Sequence, residues 1–114
     1  RGGTAAVLNE IVEGRPFGIL VRERDLPFAA GTRSAAELLG IDLVNVACEG
    51  RVLLVCAPEA RDPICAAWRA LPEGRGACVI GEVTGDASRV LMDTVMGGRR
   101  LVDVPQGELL PRIC

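Results

Sequence analysis

The sequence has 114 residues, of which 49% are apolar and 25% are charged, and its formal net charge is −2. This length and composition are typical of a single globular domain. The weak negative charge and the 3% content of aromatic residues argue against a nucleic-acid partner, and no apolar run approaches the ~20 residues of a membrane span.

The first predicted element is a helix near the start of the sequence. Apolar residues recur there at helical spacing, which predicts a helix over residues 4–13. Thr4 is a suitable N-cap, and Gly14 fits the position just past the end of the helix.

Gly2 and Gly3 precede this helix and are candidate phosphate-binding residues. Free backbone N–H groups and the helix dipole favour an anion at a helix N-terminus. A Gly-Gly pair is a weak signal, however, and an ordinary loop that enters a helix is the simpler interpretation of these residue types. Both interpretations stay open at this point.

The next elements are a strand and a short helix. Residues 17–21 are apolar and follow Pro16, which predicts a buried strand. Ser34 and Glu37 have capping-box spacing ahead of a terminating Gly40, which predicts a short helix there.

A predicted hairpin holds the second candidate site. Residues 43–48 and 51–57 are strand-like, and the Glu49-Gly50 pair between them has hairpin spacing. On residue types alone, a solvated turn residue is the simpler interpretation of Glu49. A carboxylate at this turn can also act as a general base.

The last part of the sequence predicts one helix and three strands. Apolar residues at helical spacing predict a helix over residues 62–71, in which Trp68 is expected to be a core anchor. The strand candidates are residues 77–84, 89–95 and 99–104. Together the elements predict an α+β fold, with a mixed, largely antiparallel sheet covered by helices.

Five cysteines, at positions 48, 56, 65, 78 and 114, and the absence of histidine limit the chemistry of the chain. No Cys-x-x-Cys pair occurs, so we expect no structural zinc site. The first four cysteines lie in apolar runs and are predicted to be buried and reduced, as in a cytosolic protein. Asp93, Asp103 and Glu108 fall on different segments without ligand spacing, so we predict solvated side chains there and no metal site.

The final ten residues differ from the rest of the chain. Two prolines and a glycine disfavour both a helix and a central strand over residues 105–114. We therefore predict a domain over residues 1–104 and a flexible C-terminal tail that carries Cys114. A thiol on such a tail suits a carrier arm, although a frayed terminus that ends in cysteine is the simpler interpretation of the residue types alone.

The tail also carries a resemblance to a known family. Residues 105–114 have the pattern Pro-x-Gly-Glu-x-Leu-Pro-Arg-Ile-Cys, which resembles the C-terminus of the HypE family of hydrogenase maturation proteins. Residues 1–10, Glu49-Gly50 and Gly81-Glu82-Val83 are similar to segments of the same family, so the resemblance covers the whole chain. The Arg-Gly-Gly opening is shared with the wider PurM-like, AIR synthase-related superfamily. Its C-terminal domain implies a mixed sheet covered by helices.

The resemblance implies a reaction and the residues that perform it. In the family the terminal cysteine, here Cys114, accepts a carbamoyl group from HypF. ATP-dependent dehydration then gives a thiocyanate, and the cyanide passes to iron on the HypC–HypD complex. Glu49 matches a position implicated in the dehydration, although Cys48 and Arg51 depart from the usual Asn-Glu-Gly-Lys. Gly2 and Gly3 are implied to lie near the nucleotide phosphates.

The resemblance further implies partners and cofactors outside this sequence. ATP and Mg²⁺ would be bound mainly by an N-terminal domain, so the sequence, which lacks an initiator methionine, is expected to be an inactive fragment that binds no cofactor alone. A homodimer through that domain and a cytoplasmic location are expected. The alternatives are a noncatalytic PurM-like domain that shapes an interface or a nucleotide site, and another ATP-dependent enzyme of the superfamily, such as a thiamine-phosphate kinase or selenophosphate synthetase relative.

Overall fold

The computed structural model describes residues 2–104. Arg1 and residues 105–114, and with them Glu108 and Cys114, lie outside the described residues.

Four strands form one mixed sheet. They are β1 (Gly18–Arg22), β2 (Gly81–Thr84), β3 (Val90–Asp93) and β4 (Arg99–Leu101), in the spatial order β2-β1-β3-β4. β1 is antiparallel to β2 and parallel to β3, while β3 and β4 are antiparallel. The predicted α+β fold with a mixed, largely antiparallel sheet is therefore confirmed.

Three helices and three 3₁₀ turns accompany the sheet. The helices are α1 (Gly3–Val12), α2 (Ala30–Leu39) and α3 (Arg61–Arg69). The 3₁₀ turns are Glu23–Asp25, Leu43–Asn45 and Pro58–Ala60. None of the helices in the described part of the chain has the length and apolar character needed to span a bilayer.

The core lies between α1 and the centre of the sheet. Ala5, Leu8 and Val12 follow each other at helical spacing on one face of α1, and each is at most 5% exposed. They pack with Val21 of β1 and Met92 of β3, which are both 1% exposed. Complete burial of one such side chain stabilises the fold by about 1.5–3 kcal/mol, so this contact fixes α1 on the sheet.

The structure corrects the predicted capping residues of the first two helices. Thr4 is not the cap of α1, because Gly2 occupies the N-cap position in a left-handed conformation. α2 begins at Ala30, so Ser34 lies inside it and donates its hydroxyl hydrogen bond to the Ala30 carbonyl oxygen. The predicted ends at Gly14 and Gly40 are confirmed, since both glycines have φ near 65°, at 66° and 64°.

The predicted hairpin around Glu49 is wrong. Residues 43–45 form a 3₁₀ turn, because the Asp42 carboxylate caps the Val44 amide at 3.3 Å. Residues 51–57 are assigned to no strand. The predicted partner of residues 51–57 is therefore not a strand, and none of the four described strands pairs with this apolar run.

The region around α3 is more exposed than predicted. Trp68 is half-buried, and α3 has no fully buried residue, so Trp68 is not the predicted core anchor. The strand predicted over residues 77–84 is confirmed only in its second half, as β2.

The prediction of four buried cysteines is also wrong. The four described cysteines are free thiols, of which Cys48, Cys56 and Cys78 are exposed and Cys65 is half-buried. They lie in or beside residues 51–80, the part of the chain that packs least against the core.

Candidate functional site

The N-terminus of α1 is the first component of the candidate site. Gly2 caps the helix through its backbone alone, with φ 70° and ψ 7°, and none of the described side chains caps it. The first N–H groups of a helix have no intrahelical acceptor and carry a partial positive charge. This end of α1 therefore has backbone donors for an anion, and a phosphate-binding role of Gly2 and Gly3 stays a prediction.

Gly3 joins this helix end to the second component of the site. A Cβ atom at Gly3 would lie 2.5 Å from the Val44 carbonyl oxygen and 2.6 Å from the Val46 carbonyl oxygen. Its φ of 65° also lies in the left-handed region that favours glycine. The N-terminus of α1 consequently sits directly against the backbone of residues 44–46.

We expect Gly3→Ala to lower the free energy of unfolding by about 3 kcal/mol, from left-handed strain plus overpacking against backbone. Gly14→Ala is the matched control, because Gly14 has nearly the same φ, 66°, but no atom within 4 Å of its Cβ position. Gly14→Ala is expected to lower the free energy of unfolding by only about 1 kcal/mol. Urea denaturation of both variants measures the difference, and equal losses would show that the contact with residues 44–46 is unimportant.

Glu49 lies just beyond the segment that Gly3 contacts. It is exposed, and Gly50 beside it has φ 70° with no atom near its Cβ position. Glu49 is three positions after Val46, and three residue steps span at most about 10 Å. Chain length therefore limits Glu49 to within about 10 Å of the segment that Gly3 contacts, while Cys114 lies outside the described residues.

Asn45 is a polar residue of this site that the sequence pattern did not indicate. Within residues 2–104 its buried Oδ1 atom has no hydrogen-bond partner. The Asn45 carbonyl carbon is 2.9 Å from the position of a Cβ at Gly3, so the residue lies beside the N-terminus of α1. An unpaired buried acceptor lowers the free energy of unfolding by about 1–3 kcal/mol. We therefore include Asn45 among the residues of the candidate site.

The described residues fit a nucleotide phosphate better than they fit a metal ion. The first N–H groups of α1 are donors for an anion, although one side of Gly3 is filled by the Val44 and Val46 carbonyl oxygens. Across residues 2–104 no three histidine, cysteine, aspartate or glutamate side chains are grouped to hold a metal. Asp93 is instead paired with Arg99 at 2.7 Å, and this hydrogen bond lowers the pKa of the Asp93 carboxyl.

We expect Cys48 to be alkylated several times faster than Cys78 in the folded protein at neutral pH. Cys78 is exposed as a residue, but its thiol donates a hydrogen bond to the Asp25 carbonyl oxygen at 3.4 Å. Partial burial of this thiol raises its pKa, although Arg69 opposes the shift. Mass-spectrometric rates with iodoacetamide measure the difference, and the unfolded protein, in which both thiols react alike, is the control. Equal rates in the folded protein would contradict the effect of burial.

Comparison with known proteins identifies similar chains. Residues 1–93 match the family described as AIR synthase related protein, C-terminal domain. The whole chain is 47% identical to the carbamoyl dehydratase HypE of Bradyrhizobium diazoefficiens and covers 33% of that protein. It is 46% identical to HypE of Rhodobacter capsulatus, of which it covers 34%. The chain thus spans about a third of the length of the curated relatives it matches.

Solved structures of HypE proteins have the same fold. The whole chain superposes on 35% of Escherichia coli HypE with a TM-score of 0.91 at 37% identity. The whole chain also superposes on 36% of a HypE in complex with ATP, with a TM-score of 0.88 at 34% identity. In a HypE–HypF complex, 92% of the chain matches 34% of the solved chain with a TM-score of 0.84 at 36% identity.

Proposed function

This chain belongs to the family of AIR synthase related C-terminal domains, and its relatives are HypE proteins. From that premise we propose that it is the part of a carbamoyl dehydratase that carries the acceptor thiol. The observation that carries the proposal is the agreement of the whole chain with two HypE proteins. It is 47% identical in sequence to that of Bradyrhizobium diazoefficiens, and it superposes on that of Escherichia coli with a TM-score of 0.91. In this proposal residues 1–104 form the domain and residues 105–114 form the segment that presents Cys114.

The proposed reaction has two steps on the Cys114 sulfur. In the first, the thiolate attacks the carbamoyl carbon of the donor, a C–S bond forms, and the donor's leaving group departs. In the second, the carbamoyl oxygen takes the γ-phosphoryl group of ATP and ADP is released. Loss of the two N–H protons and departure of phosphate then leave a C≡N group on sulfur. The net products of the second step are a thiocyanate, ADP and phosphate.

Glu49 and the N-terminus of α1 have separate roles in the second step. The Glu49 carboxylate is exposed, so it can accept a proton from the carbamoyl nitrogen, which the carbamoylated sulfur of Cys114 cannot do. The backbone donors that begin at Gly2 and Gly3 would hold the nucleotide phosphates or the departing phosphate. Mg²⁺ would neutralise charge on the phosphates, and we assign its ligands to the nucleotide-binding part of the longer protein.

The partners follow from the same proposal. HypF is the carbamoyl donor, which the solved complex of a related HypE with HypF supports. The HypC–HypD complex is the acceptor of the cyanide, the nucleotide-binding part provides a homodimer contact, and the cytoplasm is the compartment. Binding of ATP to the longer protein is supported by the solved ATP complex of another HypE.

The test is to follow the intact protein by mass spectrometry during incubation with HypF, carbamoyl phosphate and ATP. A carbamoyl adduct should appear on Cys114 and convert into a cyano adduct. Omission of ATP after loading should stop the process at the carbamoyl adduct. A wild-type protein that acquires no adduct on Cys114, with active HypF present, would overturn the proposed function.

A further inference from the structure

We propose that Arg100 is a positioning residue for Glu49 and acts through Asp42, an inference that rests on the function proposed above. Arg100 Nη2 lies 2.6 Å from Asp42 Oδ2, although 58 positions separate the two residues in the sequence. This ion pair joins β4 to the segment that leads to the Glu49 turn.

Asp42 uses its other oxygen to shape that segment. Asp42 Oδ1 accepts a hydrogen bond from the Val44 amide at 3.3 Å, and the Asp42 carbonyl oxygen accepts one from the Asn45 amide at 3.1 Å. One carboxylate therefore binds the guanidinium of Arg100 and caps the 3₁₀ turn at the same time.

The same segment is held from the opposite side by α1. The carbonyl oxygens of Val44 and Val46 face Gly3, and the Val44 side chain is in the core, 3% exposed. Residues 42–46 are thus fixed between α1 and Arg100, and the chain reaches Glu49 three residues later. The position of the Glu49 carboxylate depends on both contacts.

A cavity gives the segment room to move if the ion pair is lost. The cavity has a volume of about 350 Å³, and its lining includes Asp42, Val44, Phe28 and Arg100. The Arg100 guanidinium is itself held 3.7 Å from the sulfur of Met92, a core residue. Breaking the pair would allow residues 42–46 to shift toward this space and displace Glu49.

The pair is suited to positioning because it contributes little to folding. Its two side chains are 39% and 38% exposed, and ion pairs at such exposure add little to global stability. Variants of Arg100 are therefore expected to fold. A small displacement of a reacting group can nevertheless slow a reaction by a much larger factor.

The experiment compares Arg100→Gln with Arg99→Gln in the intact protein. Arg99 is the preceding residue of β4 and forms a similar ion pair, with Asp93 at 2.7 Å, within the β3–β4 hairpin. The time course of carbamoyl and cyano adducts on Cys114 is followed by mass spectrometry. In Arg100→Gln the carbamoyl adduct should form at the wild-type rate and convert into the cyano adduct about tenfold more slowly. In Arg99→Gln both steps should be unchanged.

Asp42→Asn tests whether Arg100 acts through Asp42. Asparagine keeps the capping oxygen but loses the charge, so this variant should also convert about tenfold more slowly. The double variant should convert the adduct no more slowly than either single variant, because the two substitutions remove the same ion pair. A further slowing in the double variant would contradict action through Asp42.

Hydrogen exchange gives a readout that is independent of the reaction. The amides of residues 44–46 should exchange faster in Arg100→Gln than in Arg99→Gln, because the turn loses its support. A wild-type conversion rate in Arg100→Gln, or unchanged exchange at residues 44–46, would overturn the inference. An absence of any adduct on wild-type Cys114 would instead overturn the proposed function and the catalytic part of the inference with it.

Discussion

Cys114→Ala in the intact protein is expected to abolish loading with a carbamoyl group and to leave the domain folded. The thiolate is the nucleophile of the first step, and alanine offers no atom that can replace it. The core of the described residues is formed by side chains such as those of Val90 and Met92, which this substitution leaves unchanged. Mass spectrometry after incubation with HypF, carbamoyl phosphate and ATP measures loading, and thermal unfolding measures the fold.

Cys48→Ala is the control for this experiment. Cys48 is an exposed free thiol directly beside Glu49, so it is the described cysteine best placed to accept a carbamoyl group by chance. The Cys48→Ala variant should load as the wild type does, with the adduct on Cys114. If a carbamoyl or cyano adduct persisted in Cys114→Ala, or mapped to Cys48, the assignment of the acceptor would be wrong.

For α1 and α2 the ends were predictable from the sequence, whereas the capping residues at their starts were not. Gly14 and Gly40 adopt left-handed conformations that other residues reach only with strain, so each marks a helix end by a local requirement. Thr4 and Ser34 are common capping residues, but caps formed by backbone alone begin α1 at Gly3 and α2 at Ala30. A capping side chain is only one of several ways to begin a helix.

The strand-like runs show where local pattern fails. Residues 51–57 have the composition of a strand, but a strand also needs a partner, and the predicted partner forms a 3₁₀ turn over Leu43–Asn45. Residues 43–48 have enough apolar residues for a strand, yet the Asp42 cap turns the chain. In both cases a contact absent from the local pattern decides the structure.

Some residues of the candidate site could be predicted from local sequence motifs, whereas others could not. Glu49, Gly2 and Gly3 belong to short motifs, so the sequence could indicate them. Asn45 and Arg100 have no such motif, because the role of each depends on a neighbour far away in the sequence. Arg100 meets Asp42 across 58 positions, and only the folded chain brings them together.

Glu49→Gln in the intact protein is expected to load normally but to dehydrate the carbamoyl group at least about 100-fold more slowly, the usual scale for loss of a general base. Glutamine keeps the shape and polarity of the side chain and removes only the ability to accept a proton. Glu49 is exposed and has no packing role, so the fold should be unaffected. The carbamoyl adduct should therefore accumulate on Cys114, where the wild type forms the cyano adduct.

Two further variants separate a base from a turn residue. Glu59→Gln changes another exposed glutamate, in the 3₁₀ turn before α3, and should dehydrate at the wild-type rate. Glu49→Asp keeps a carboxylate one methylene shorter, and its rate should fall between those of the wild type and Glu49→Gln because the base is present but displaced. A Glu49→Gln protein that forms the cyano adduct at the wild-type rate would reduce Glu49 to a solvated turn residue. Under that outcome Arg100 would have no catalytic group to position, so the Glu49 experiment should precede the Arg100 experiment.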